Sequence, residues 1–320
     1  MRKRIFAHML AIVLVVCMLP ASVVYGEENP QKDKSEKPGW VAGLDGVTQE
    51  DLDKAQAEKN DSQNPEVTVA KNGEQKIPIL MYHHITTDTF DRDNAISLIS
   101  PEDFRLHMTA LKVHFNPISL KQYDAYINCT DGSVTLPENP VIITFDDGYT
   151  SNYEIAYPIL KELEIPATIF VVTDTVGEQA GGGKVNYSHF TWEQAKEMEA
   201  SGLIDIQSHS HSHVHMAEIS YDEMVKEFRK SKYLIEKNLG KACTMFAYPY
   251  GSYNQDTIDA ARKAGYRVQV LVDDRTTEEE FEVNKVKDGV EGLKRITIAG
   301  YMGNVNVIEL IRHVMSKRDA

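Results

Sequence analysis

The sequence predicts an α/β barrel, with a parallel sheet inside and helices outside, and three observations predict it. From Lys76 onward, short apolar runs alternate with segments of helical period. Some of those runs, such as Val141-Ile142-Ile143, are apolar at every position, as strands buried on both faces are. Polar residues capable of chemistry cluster directly after the runs, where the C-terminal ends of barrel strands would lie. A doubly wound open sheet satisfies the alternation equally well, and it is the clustering that favours the barrel.

In chain order, Ile77-Pro78-Ile79-Leu80-Met81-Tyr82 reads as the first strand. Ser100-Pro101-Glu102-Asp103 then opens a helix over 104–113: Ser100 and Asp103 read as a capping box, and Pro101 suits the first helical position. A strand at 141–145, a helix near 153–163, a strand at 167–172 and a helix near 191–200, stopped by Gly202, follow. Next come a strand at 203–207, a long helix over 221–238 stopped by Gly240, a strand at 244–248 and a helix over 255–264 stopped by Gly265. Residues 268–272 and 295–298 read as final strands, with a last helix near 305–315.

The region before Lys76 differs. Met1-Arg2-Lys3-Arg4 precedes a largely apolar stretch from Ala7 to Val24, broken by His8 and Pro20, and Val24-Tyr25-Gly26 offers small residues for cleavage before Glu27. Residues 1–26 are therefore expected to be a signal peptide or, if uncleaved, an N-terminal anchor. Cys17 follows Val16, which is larger than the residue usual before a lipidated cysteine, so lipidation is discounted. Residues 27–75 are polar, with few large apolar side chains, and read as a flexible linker unable to offset its own ordering entropy. The chain is expected to act outside the cytoplasm, secreted or held at the cell surface.

The formal charge is -14. Removing residues 1–26, with three basic residues and no acid, makes -14 into -17. So acidic a chain is a poor nucleic-acid binder, because phosphate neutralisation needs clustered Lys and Arg. Beyond the leader stand two cysteines, Cys129 and Cys243, whose spacing matches neither a zinc ribbon nor a disulfide framework. A bond between them and two unpaired buried thiols are both open.

Two distant strings suit one metal site. Thr144-Phe145-Asp146-Asp147-Gly148-Tyr149 ends an apolar run, and Ser208-His209-Ser210-His211-Ser212-His213 directly follows another. Adjacent carboxylates repel unless a cation or shared proton relieves them, so the pair can supply one ligand and one group of perturbed pKa. An extended chain would put His209, His211, His213 and His215 on one face, whereas a helical turn groups members four apart. A turn after the strand favours His209 and His213, with Asp147 as the third ligand, a fourth position left for water, and Asp146 as base. On this reading His211 and His215 support the site or face solvent. Alone, Asp-Asp-Gly reads as an ordinary turn and the histidines as a surface tract; their co-occurrence after apolar runs argues otherwise. Phe246-Ala247-Tyr248-Pro249-Tyr250-Gly251 ends a further strand at a bend that could present the Tyr250 main-chain N–H to an oxyanion. Tyr82-His83-His84 sits on the same rim.

These strings, together with Pro78 to His83, Tyr157-Pro158-Ile159-Leu160, Ile165 to Val171 and Thr191-Trp192-Glu193, resemble the successive motifs of the polysaccharide deacetylase family, also called the NodB homology domain or carbohydrate esterase family 4. The resemblance spans about 76–300 and is nearest in style to the poly-N-acetylglucosamine deacetylase branch. It implies that 76–320 is one deacetylase domain, a distorted (β/α) barrel with fewer than eight regular repeats. It also implies a divalent metal, zinc first with cobalt or nickel as alternatives, on Asp147, His209 and His213. The same resemblance makes Asp146 the base, the Tyr250 main chain an oxyanion donor, and a first-strand histidine, His83, the acid. The expected partner is an acetylated polysaccharide that loses N-acetyl groups, with O-deacetylation of acetyl-xylan and non-catalytic glycan binding as alternatives. A monomer is expected, meeting a membrane only through an uncleaved N-terminal segment.

Two departures stand out. Family members commonly carry an Arg in the third motif that holds the catalytic Asp, and Ala247 in that place cannot do so. The usual late segments are also poorly matched: Val272-Asp273-Asp274-Arg275 fits badly, and His313 falls in a predicted helix.

Overall fold

The computed structural model describes residues 73–88, 97–179, 185–272, 283–298 and 307–316. The expected leader (1–26), nearly all of the expected linker (27–75) and residues 273–275 of the late segment lie outside the described residues.

Thirteen strands are described: β1 (Lys76–Ile77), β2 (Ile79–Tyr82), β3 (His84–Ile85), β4 (Leu98–Ile99), β5 (Asn116–Ile118), β6 (Pro140–Phe145), β7 (Ala167–Val171), β8 (Ile204–Ser208), β9 (Met245–Ala247), β10 (Val268–Val270), β11 (Asn284–Lys285), β12 (Glu291–Leu293) and β13 (Ile296–Thr297). The main sheet runs β12-β10-β9-β8-β7-β6-β2-β13, with β5 beside the start of β6, and every pairing in it is parallel. The helices are α1 (Pro101–His114), α2 (Leu120–Asn128), α3 (Tyr157–Glu162), α4 (Trp192–Ala200), α5 (Tyr221–Leu239), α6 (Gln255–Lys263) and α7 (Val307–Ser316). The sheet curls into a distorted (β/α) barrel. Among the described residues only a 3₁₀ turn, Val286–Asp288, and no α-helix separates β10 from β12, so the repeats fall short of eight. The two edge strands, β12 and β13, are joined by Lys294 and Arg295 alone. Asn284 staples this seam: its amide donates to the carbonyls of Ile77 (3.2 Å) and Lys294 (2.7 Å) and accepts from the Lys294 N–H (2.7 Å).

Side chains alternate across each strand, so both sheet faces are apolar. Ile79, Ile142, Phe170, Ala247, Val270 and Leu293 belong to one buried cluster, which also takes Leu120, Tyr123 and Tyr126 from α2. Leu80, Ile143, Phe145, Ile169, Val171, Ile206 and Phe246 belong to the other, with Phe104, Leu160, Met198 and Phe228 from the surrounding helices. Each such side chain, fully buried, contributes about 1.5–3 kcal/mol.

The helix ends follow local chemistry. Ser100 accepts from the Asp103 N–H (3.1 Å) with Pro101 in the first turn of α1, Thr191 and Gln194 form a capping box on α4, and Gly240 closes α5 in the left-handed conformation. The expected helix over 153–163 is interrupted. It opens as a π-helical turn, Asn152–Ala156, before α3. Pro158 lacks the N–H that a continuous α-helix would direct at the Glu154 carbonyl, which accounts for the altered register. No helix among the described residues is long and apolar enough to cross a membrane.

Candidate active site

The site forms where the strands end. β6 stops at Phe145, and the Asp146 N–H continues the ladder to the Tyr82 carbonyl (3.0 Å). The chain then turns through Asp147 (φ 71°) and Gly148 (φ 82°). Glycine is required at 148: its positive φ strains other residues, and a Cβ there would lie 3.0 Å from Val171 Cγ1.

Asp146 and Asp147 part ways at this turn. Asp146 is 1 % exposed, and both its oxygens accept from the Arg295 guanidinium, Nη1 to Oδ1 and Nη2 to Oδ2, each at 2.7 Å. Arg295, itself fully buried, also donates to the Leu271 carbonyl (3.0 Å) and Thr144 Oγ1 (3.2 Å) and lies over the Phe170 ring. Burial pushes the Asp146 pKa up, but the charge of Arg295 and its hydrogen bonds outweigh it and hold the carboxyl below its ordinary value. Position 247 is indeed without a guanidinium; the structure supplies one from the start of β13 instead.

Asp147 turns towards two imidazoles. Its Oδ1 is 3.3 Å from His213 Nε2 and 3.6 Å from His209 Nε2. That oxygen is buried and receives no well-directed hydrogen bond. Burial again pushes its pKa up, and His213, His83 and His209 together bring it well below the carboxylate range. His209 leaves the end of β8, and its Nδ1 lies 2.9 Å from the Ala247 carbonyl. A carbonyl only accepts, so Nδ1 carries the proton, and burial keeps the ring neutral by pushing its pKa down to about 4. His209 Nε2 therefore presents a lone pair. His213 Nδ1 lies 2.9 Å from the Tyr250 hydroxyl. One donor atom from each of Asp147, His209 and His213 falls within 4.8 Å of the others. An ionised carboxylate and two imidazoles so grouped, with an otherwise orphaned carboxylate oxygen among them, suit a divalent cation.

The remaining expected residues are placed as follows. Tyr250 lies in a short 3₁₀ turn after β9 with φ 58°, and its half-exposed ring stacks on His215 at 4.1 Å. His211 is engaged elsewhere: its Nδ1 lies 2.9 Å from Thr173 Oγ1 and its Nε2 3.4 Å from Asp174. His83 follows β2; its carbonyl accepts from the buried Asn152 amide (2.8 Å), its Nδ1 is buried without a hydrogen-bond partner, and it lies near both Asp146 and Asp147. His313 lies in α7. Of the six non-glycine residues with positive φ among the described residues, Asp147, Ser210, His213 and Tyr250 are at this site. Such a concentration of strained backbone is characteristic of functional sites. Cys129 and Cys243 are not bonded to each other; the first is partly exposed and the second buried.

Sequence reasoning did not single out Arg295. Its only local signal is a basic residue at the head of an apolar run in an acidic chain.

Known proteins resemble this chain in sequence and in fold. The profile of the family described as polysaccharide deacetylase matches residues 133–269. The chain is 35 % identical over 199 residues to YxkH of Bacillus subtilis (strain 168), whose name assigns it to the polysaccharide deacetylases; the match covers 62 % of this chain and 65 % of that protein. It is 34 % identical over 139 residues to a poly-β-1,6-N-acetyl-D-glucosamine N-deacetylase of Staphylococcus aureus (strain MRSA252), covering 41 % of this chain and 47 % of that one. The chain thus spans less than two thirds of the length of either relative. Among solved structures, the Streptococcus pyogenes deacetylase PplD, in complex with acetate, superposes with a TM-score of 0.62 at 28 % identity over 74 % of this chain and 98 % of that one. IcaB from Ammonifex degensii shares the fold, with a TM-score of 0.61 at 24 % identity over 77 % of this chain and 100 % of that one. In its motifs, its matched profile and its architecture, the chain is similar to the polysaccharide deacetylase family.

Proposed function

We propose that this chain is a metal-dependent hydrolase that removes N-acetyl groups from a polysaccharide containing N-acetylglucosamine. The observation that carries the reading is the division of labour between adjacent carboxylates: Asp147 faces two imidazoles, while Asp146 is locked against Arg295. The family is metal-dependent, and Asp147, His209 and His213 are the residues that would hold the ion, with zinc the natural choice for this donor set. When bound, the ion supplies Lewis acidity to the acetyl carbonyl and the attacking water.

The rest falls to the side chains. Asp146, kept ionised by Arg295, accepts the proton of the water that adds to the acetyl carbon. The Tyr250 main chain faces the developing oxyanion as a donor. The C–N bond then breaks, acetate departs with the water oxygen, and the sugar amine takes a proton from His83, which sits beside both aspartates. The relative from Staphylococcus aureus is named for a poly-β-1,6-N-acetylglucosamine substrate, which supports a polymer of this class here. The leader-like residues 1–26 support a chain that works outside the cytoplasm.

The test is acetate release from poly-β-1,6-N-acetylglucosamine, chito-oligomers and acetyl-xylan with zinc, cobalt or nickel present. Wild type should release acetate from the first two, and Asp146→Asn should lower turnover by about 10²–10⁴-fold while still binding metal. No release from any glycan sinks the reading; release from acetyl-xylan alone moves it to ester hydrolysis. The non-catalytic alternative drew on a missing third-motif arginine and a missing late histidine; Arg295 answers the first of these.

A further inference from the structure

We infer that Glu227, on α5, is a positioning residue that sets the two imidazoles at the spacing needed to share one cation. The inference rests on the metal reading above and extends it to a residue outside the site.

Between its two candidate ligands the chain has only Ser210, His211 and Ser212 in which to reverse direction. It does so with Ser210 at φ 69° and His213 at φ 55°, conformations that side chains with a Cβ rarely adopt. Such a turn holds only if its surroundings over-determine it. Within the turn, Ser210 Oγ accepts from the His213 N–H (2.9 Å). On the side of β7, the Thr173 and Asp174 N–H groups donate to the carbonyls of Ser210 (3.3 Å) and His211 (2.9 Å). On the other side stands Glu227. Its Oε2 accepts from the main-chain N–H groups of both His211 (2.8 Å) and Ser212 (2.9 Å), and its Oε1 accepts from the Ser212 hydroxyl (2.7 Å). One carboxylate thus receives three bonds from the two residues immediately before His213. Consecutive N–H groups converging on an anion make a nest, and an ionised acceptor strengthens each bond. The base of this grip is rigid, because the flanking Met224 and Phe228 are buried in the core. Without it, the turn loses the acceptor for two main-chain donors, and His213 loses the register that brings its Nε2 to Asp147.

The test is zinc affinity by competition with a chelator, alongside the visible absorption of the cobalt-loaded protein, which reports ligand geometry. Glu227→Leu should bind zinc about 10–100-fold more weakly and alter the cobalt spectrum. Glu227→Gln keeps an acceptor oxygen for both N–H groups and a donor for Ser212, so it should stay within about threefold of wild type. Melting of the metal-free forms separates positioning from general stability: the affinity loss should exceed what the change in melting accounts for. Should Glu227→Leu fail to fold, Glu227→Asp carries the test, since it keeps the charge but shortens the reach by one methylene; it should bind zinc more weakly than Glu227→Gln. A folded Glu227→Leu protein, or failing that Glu227→Asp, with wild-type zinc affinity and cobalt spectrum overturns the role of Glu227. A wild-type chain that binds no zinc instead overturns the metal reading beneath it.

Discussion

Replacing Arg295 with methionine removes both guanidinium bonds to Asp146, at 2.7 Å each, and those to the Leu271 carbonyl and Thr144 Oγ1. It leaves a carboxylate that is 1 % exposed with no counter-charge of comparable reach. Breaking a buried ion pair on one side costs about 3–5 kcal/mol. At about 2–4 °C per kcal/mol for a folded region of this size, the melting temperature should fall by roughly 6–20 °C. The converse change, Asp146→Leu, strands the guanidinium and should cost a similar amount. The double variant, Arg295→Met with Asp146→Leu, replaces both charges with apolar groups and should recover most of the loss, because desolvating the pair roughly cancels its attraction. The assay is chemical and thermal unfolding of wild type, both single variants and the double, all with chelator present so that bound metal does not contribute. Two single losses of about 3–5 kcal/mol each, with a double loss of about 1 kcal/mol, make the expected coupling energy about 5 kcal/mol or more. Single variants that each cost under about 1 kcal/mol, or a double variant as unstable as the sum of the singles, would refute the view that Arg295 exists to sustain a buried anion.

Tyr250→Phe keeps the main chain and the ring against His215 but deletes the hydroxyl at His213 Nδ1, so zinc affinity measured by chelator competition should fall about 10-fold with the melting temperature of the metal-free protein unchanged. The two thiols should differ sharply towards iodoacetamide. Burial pushes Cys243 up to about 12, whereas a hydrogen bond from Ser133 lowers Cys129, which is partly exposed. Mass spectrometry of native protein alkylated at neutral pH should therefore find Cys129 modified and Cys243 modified only after denaturation.

The barrel was legible because strands buried on both faces leave continuous apolar runs, as at Val141-Ile142-Ile143, and because Ser100, Thr191 and Gly240 mark helix ends by local hydrogen bonding. The short strand β5 and helix α2 were not foreseen. Pro117 and a three-residue strand give no period to detect, and the packing of Leu120, Tyr123 and Tyr126 beneath the sheet is a tertiary fact. The Asp and His residues could be read because each follows a strand in a short string. Arg295 could not, because its meaning lies in a contact across 149 residues of chain. His211 shows the opposite limit: it stands between two candidate ligands in the same string, yet Thr173 and Asp174 claim its ring.

The distance in sequence between Asp146 and Arg295 has a bearing on how the protein is made. Translation delivers the aspartate long before its cation, so a nascent chain that has emerged only to β10 owns every candidate ligand yet cannot neutralise the carboxylate among them. Premature termination anywhere ahead of residue 295 would leave a product whose centre resists collapse. The buried carboxylate and its counter-charge thereby come together only late in synthesis, and a chain truncated before residue 295 is marked for disposal by its own unbalanced interior.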